Sequence, residues 1–187
     1  KSLYALLACG LAWGAESFEN LPAGGITSGA LEYGSLSAEP GAAEIYKRAR
    51  TGSQSLRIAG GAGKQVSIKL ANPMEKDTRC TFWLERWTKK DPFSVKLVAV
   101  TGSGEQQLKE LKGLGHGGFN HKIDITLPKG TKELRLVADT PEKAGVLIDD
   151  LSLMMGKMKL GGVSVHNPGV WPLMKRARFN PAVKISI

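Results

Sequence analysis

Three side chains at alternate positions, Trp83, Glu85 and Trp87, are the residues here most able to do recognition chemistry. In an extended strand successive side chains alternate between faces, so these three share one face. Two indoles with a carboxylate between them can stack on sugar rings while Glu85 accepts hydrogen bonds from sugar hydroxyls. Aromatic faces supply a large contact area and a specific geometry. The competing expectation is structural, with one indole capping the core or packing against a following domain.

A second group is acidic. Glu19 lies near the start of the mature sequence, and Asp149 and Asp150 lie far downstream. Pairing of the first and last strands would bring them together. Clustered carboxylates suit a hard cation, so a structural Ca²⁺ held by Glu19, Asp149 and Asp150 is expected. The alternative is that these carboxylates pair with Lys or Arg.

Other signals fall short of a site. Gly60-Gly61-Ala62-Gly63-Lys64-Gln65 superficially resembles a phosphate loop, but Ile58 stands where the first Gly is required and Gln65 replaces the Mg²⁺-binding Ser or Thr. A hairpin turn is expected there instead. His116 and His121 flank Gly117-Gly118-Phe119 without a third zinc ligand. His166 has no sequence partner. No Gly-x-Ser-x-Gly elbow occurs, and Cys80 has no motif-level His. The chain therefore carries no catalytic motif, and its catalytic set is read as none.

The elements that must position these residues show period two rather than 3.6. Leu56 and Ile58, then Val66, Ile68 and Leu70, alternate with other residues on either side of the glycine-rich stretch. Cys80, Phe82 and Leu84 form a second run, with Cys80 read as a small core residue. Phe93, Val95, Leu97 and Ala99 form a third after the turn sequence Lys89-Lys90-Asp91-Pro92. Ile123, Ile125 and Leu127 precede Pro128-Lys129-Gly130. Leu134, Leu136 and Ala138 stop at Asp139-Thr140-Pro141, and Val146, Ile148, Leu151 and Leu153 make a last run. Short strands at this spacing predict an all-β antiparallel sandwich. The central claim is that Leu56, Phe82, Leu97 and Ile148 face one shared interior.

Composition agrees with a folded domain: 187 residues, 42% hydrophobic and 23% charged. The formal charge of +9 favours anionic partners. Acidic residues interleave with the basic ones, which also suits an ordinary solvated surface. Nucleic-acid binding would rest on charge alone, and no nucleic-acid partner is expected. The apolar stretch from Leu3 to Ala12, with Ala12-Trp13-Gly14 as a cleavage signal, predicts a signal peptide over residues 1–14. Leu6-Leu7-Ala8-Cys9 admits a lipoprotein alternative. No later segment has the apolar length of a transmembrane span, so a secreted, periplasmic or cell-surface location is expected. Residues 15–156 are assigned to the sandwich. Residues 157–187 read as a linker and the first strands of a truncated second domain.

Phe18-Glu19-Asn20, Thr51-Gly52-Ser53-Gln54-Ser55-Leu56-Arg57-Ile58 and Leu147-Ile148-Asp149-Asp150-Leu151-Ser152-Leu153 together resemble jelly-roll, galactose-binding-like domains of the carbohydrate-binding-module type. Phe18-Glu19-Asn20 would be the opening strand. Trp83-Leu84-Glu85-Arg86-Trp87-Thr88, followed by Asp91-Pro92-Phe93, resembles the amino-terminal jelly roll of bacterial secreted exo-α-sialidases. Met158-Lys159-Leu160, Val170-Trp171-Pro172-Leu173 and Phe179-Asn180-Pro181-Ala182-Val183 resemble the entry to their catalytic propeller. This resemblance implies a non-catalytic accessory module with glycan partners, sialylated or mucin-type among them, and a downstream catalytic domain. No Asp box is present, and Arg48, Arg50, Arg79, Arg86, Arg176 and Arg178 match no sialate-binding triad motif. The alternative function is a standalone carbohydrate-binding or adhesion module.

Overall fold

The alternating runs around residues 56–70 and 134–153 form two long strands rather than four short ones. The computed structural model describes residues 16–89 and 93–154. The predicted leader 1–14, the turn residues 90–92 and the segment 157–187 lie outside the described residues, as does His166. Among the described residues the regular structure is all β: β1 Gly24–Gly25, β2 Ser28–Leu31, β3 Gly34–Ala38, β4 Ala43–Tyr46, β5 Ser55–Leu70, β6 Thr78–Arg86, β7 Ser94–Thr101, β8 Gly104–Lys112, β9 His121–Leu127 and β10 Glu133–Met154. No described helix is long and apolar enough to cross a membrane.

β5 and β10 pair antiparallel along most of their lengths and carry two sheets between them. Their halves containing Val66 and Leu136 lie in a first sheet, ordered β2-β3-β5-β10-β7-β8. Their halves containing Leu56 and Ile148 lie in a second, ordered β1-β4-β5-β10-β6-β9. The expected hairpin at Gly60–Gly63 is therefore corrected. The chain bends there and continues, because each long strand must leave one sheet and join the other.

Glycine permits the bend. Gly61 and Gly145 have φ of 124° and 138°, a region open to glycine but strained for L side chains. A Cβ on Gly145 would stand 2.3 Å from the Ile58 carbonyl oxygen. At Gly60 it would meet the Ala144 nitrogen at 2.5 Å. Close backbone approach at the crossover thus explains Gly60, expected in a hairpin turn, and Gly145 opposite it.

Apolar side chains follow the period-two pattern. In the first sheet Leu136 sits between Val66 and Leu97, and in the second Ile148 sits between Leu56 and Leu84. Leu56, Phe82, Leu97 and Ile148 are all fully buried, within one hydrophobic core fed by both sheets. Cys80 joins that core, and burial pushes its thiol pKa up to about 12.

The chain ends of the domain also meet. Glu16 and Leu151 form an antiparallel bridge, with N–H···O distances of 2.7 and 3.0 Å. Tyr33 Oη donates to the Leu151 carbonyl and accepts from the Glu16 N–H. Phe18 departs from its expected place in an opening strand. It is fully buried in a turn with φ of 62°.

Candidate functional site

The outer face of the second sheet carries most of the residues singled out in the sequence. Register places Asp149 beside Trp83, and Trp83 beside Lys122. The next outward row places Glu44 beside Arg57, Arg57 beside Leu147, and Leu147 beside Glu85. Tyr46, Trp83 and Trp87 are half-buried.

The two indoles differ in surroundings. The Arg50 guanidinium lies 4.0 Å from the Trp83 ring centroid, and the Lys122 ammonium lies at 5.9 Å. Trp87 packs edge-on against Tyr46 with centroids 4.5 Å apart, and Arg57 sits over its ring at 4.8 Å. Arg57 in turn pairs with Glu44 at 2.5 Å. Cation–π contacts of this kind hold both members in place.

Glu85 differs from its expected part. It shares the face of Trp83 and Trp87, yet it has no exposed surface. Its Oε1 accepts from Arg48 Nη2 at 2.5 Å, and its Oε2 accepts from the Phe119 N–H at 3.3 Å. Residues before β5 and after β8 close over the carboxylate from both sides. A buried charge must be paired and hydrogen-bonded to be tolerated. Glu85 consequently positions Arg48 instead of offering oxygens to a ligand.

The predicted carboxylate group converges on one loop but not on one cation position. Asp149 Oδ2 accepts from the N–H groups of Arg50 at 2.7 Å and Thr51 at 3.1 Å, while its Oδ1 accepts from the Asp150 N–H. Asp150 pairs with Arg50 Nη1 at 2.6 Å and accepts from Thr51 Oγ1. Glu19 accepts from Ser53 N–H, Ser53 Oγ and Gln54 N–H at 2.7–3.0 Å. Among the described residues no group of three His, Cys, Asp or Glu side chains could hold a metal. The oxygens expected for Ca²⁺ are engaged by N–H and O–H donors of residues 50–54 and by the Asp150 N–H.

A bulge makes this convergence work. Adjacent strand residues normally point to opposite faces, so Asp149 and Asp150 should diverge. The β10–β6 register shifts between Asp149 and Ser152, and Asp150 has φ of 52°. The extra residue re-aims the side chain, as bulges do. Both carboxylates then reach the same loop.

Protonation states follow the environment. Burial raises the pKa of Asp149, against the opposing pull of its backbone donors. Glu19 shifts downward, chiefly through the Ser53 hydroxyl and then the Gln54 and Ser53 N–H groups.

Sequence reasoning passed over Tyr46, Arg48, Arg50 and Lys122 as site members. A signal was present, because Tyr46 ends β4 and Arg48 and Arg50 continue its period beyond it. His121 is used locally, its Nε2 accepting from the Gly115 N–H at 2.9 Å.

No family model matches the chain, and no curated protein matches it. Solved structures do. The chain is similar to the K2 cleaved adhesin domain of Lys-gingipain, with 14% identity and a TM-score of 0.55 over 76% of this chain and 97% of that one. The K3 cleaved adhesin domain of Lys-gingipain from Porphyromonas gingivalis gives 14% identity and a TM-score of 0.53, over 76% and 98%. The CBM22-1 xylan-binding domain from Paenibacillus barcinonensis Xyn10C gives 17% identity and a TM-score of 0.51, over 77% and 96%. The fold is a jelly-roll β-sandwich. At these identities the likeness is one of fold, and the jelly roll's ligand must be argued from its own side chains.

Proposed function

We propose that this jelly roll is a carbohydrate-binding module whose ligand lies across the outer face of the second sheet, stacked on Trp83. The observation that carries this reading is a pair of part-exposed indoles on one sheet face, beside guanidinium groups held by carboxylates below them. Trp83 is the primary platform. Trp87 is the lesser one, because the Tyr46 ring packs edge-on against it in addition to Arg57, whereas Trp83 is met by the side chains of Arg50 and Lys122 and leaves its other face for a sugar. Glu85 and the carboxylates of Asp149 and Asp150 act by fixing the segment from Arg48 to Thr51. The fold it shares with a domain named for xylan binding supports the reading at the level of architecture.

Affinity electrophoresis against a panel of immobilised glycans tests the proposal. Trp83→Ala should weaken retention at least tenfold, about 1.4 kcal/mol, and lower the melting temperature less than Trp87→Ala does. Trp87→Ala should weaken retention less and lower the melting temperature. Loss of stability in both variants with no change in retention would favour a purely structural role for the indoles.

The finer reading is an exported accessory module of an exo-α-sialidase. Its support is the resemblance of Trp83–Thr88 and of residues 157–187 to those proteins. Asp boxes encoded downstream in the same reading frame would support it. A sorting signal there would favour a standalone adhesion module.

A further inference from the structure

We infer that the Trp83 platform selects an acidic sugar, one carrying a carboxylate or sulfate, over its neutral counterpart; this rests on the glycan-binding reading and names the ligand class. The reason is the kind of hydrogen-bonding group that surrounds the ring. Arg50 and Lys122 flank Trp83, Arg48 sits on Glu85 two residues further along the chain, and the Arg48 and Arg50 side chains are 42% and 38% exposed. The carboxylates of the same neighbourhood are turned away from solvent or already engaged. Glu85 and Asp149 have no exposed surface. The Asp150 side chain is 12% exposed and is taken by Arg50 and Thr51 Oγ1. Asp124, on the neighbouring edge strand, is held by the Arg79 guanidinium through both oxygens. Ser55 Oγ donates to the Arg48 carbonyl and stays buried.

The rim that a ligand meets around Trp83 is therefore rich in donors and poor in acceptors. A neutral sugar offers these donors only hydroxyl oxygens, and the most exposed carboxylate nearby, Asp124 at 45%, is engaged by Arg79. A carboxylate or sulfate is acceptor-only and matches guanidinium and ammonium donors without remainder. Such charge-assisted hydrogen bonds are also about twice as strong as neutral ones. The buried carboxylates contribute indirectly. They clamp one edge of each guanidinium and leave its remaining N–H groups directed elsewhere, which lowers the ordering cost of binding.

The test compares retention of the full chain on polygalacturonate, sialylated mucin and dextran sulfate with carboxyl-reduced polygalacturonate, desialylated mucin and dextran. At least one acidic polymer should bind about tenfold tighter than its neutral partner. The Arg50→Gln/Lys122→Gln double variant should lose that preference. It leaves the Arg50 N–H bond to Asp149 in place, and an unchanged melting temperature verifies its fold. Lys69→Gln/Lys96→Gln, which removes the same charge from the other sheet's outer face, should keep the preference. Equal or tighter binding of the neutral polymers would overturn the inference while leaving the module reading intact. So would equal retention on polyglutamate, or an equal loss in both double variants, since each would show attraction to any polyanion. Retention on none of the polymers would overturn both.

Discussion

On the outer face of the first sheet, Arg135 pairs with Glu105 and Glu133, and Ser67 and Ser94 bond to Glu133 and Glu110. On the outer face of the second, Glu85 and Asp149 are fully buried, and three aromatic rings lie among arginines. Both faces arise from the same alternation of side chains, in sheets that share the two long strands β5 and β10. They differ in what covers them. The residues before β5 and after β8 fold over the second face, so its polar groups leave water and acquire fixed partners. The carboxylates that Arg135 meets on the first face, Glu133 and Glu105, keep 15% and 57% of their side chains exposed, and a pair as open as the one with Glu105 contributes little. Fully buried carboxylates that fix arginines beside half-buried rings suit the proposed recognition surface, whereas part-exposed pairs suit a solvated one.

The largest test of this contrast is Glu85→Ala. It strands the buried Phe119 N–H and releases Arg48, and should cost about 2–3 kcal/mol in urea unfolding, the scale of charged hydrogen bonds. A cost below about 0.5 kcal/mol would place Glu85 with ordinary surface charges.

Asp149→Asn should have a smaller effect, about 1–2 kcal/mol from weakened bonds to Arg50 and Thr51, and its size should depend on pH. The folded pKa of Asp149 lies above its unfolded value because burial disfavours the anion. The folded state therefore holds the proton more tightly, and the penalty for the buried charge is present above the raised pKa and absent below the ordinary carboxylate range. Asparagine lacks this relief. The stability gap between wild type and variant should widen as pH falls through the carboxylate range, and a gap that narrows would contradict the assignment.

The smallest effect belongs to the first face. Arg135→Ala should change stability by less than about 1 kcal/mol and leave glycan retention untouched. Comparable losses for Arg135→Ala and Glu85→Ala would erase the difference between the faces.

Much of the fold was legible because burial follows period two. The runs at Cys80–Leu84, Val95–Ala99, Ile123–Leu127 and Val146–Leu153 all contribute to strands with buried alternate positions. β8 escaped notice. Its outward residues are charged or amidic, with Leu111 its one fully buried apolar side chain, and an edge strand needs no more. The strands before residue 46 are short and broken by turns, so their periodicity barely develops. At the site, alternation placed Trp83, Glu85 and Trp87 on one face correctly, but it could not show that Glu85 would be covered.

By itself the sequence determined which side chains face the interior and that the strands pair antiparallel into a sandwich, since alternation and turn chemistry are local. Only the tertiary structure decided that Gly60–Gly63 is a bend between sheets, that Asp149 and Asp150 reach one loop, and that Arg50 lies over Trp83. These depend on segments from about thirty to a hundred residues apart meeting in space. A carboxylate becomes an anchor or a ligand acceptor according to what lies over it, and no local pattern records that.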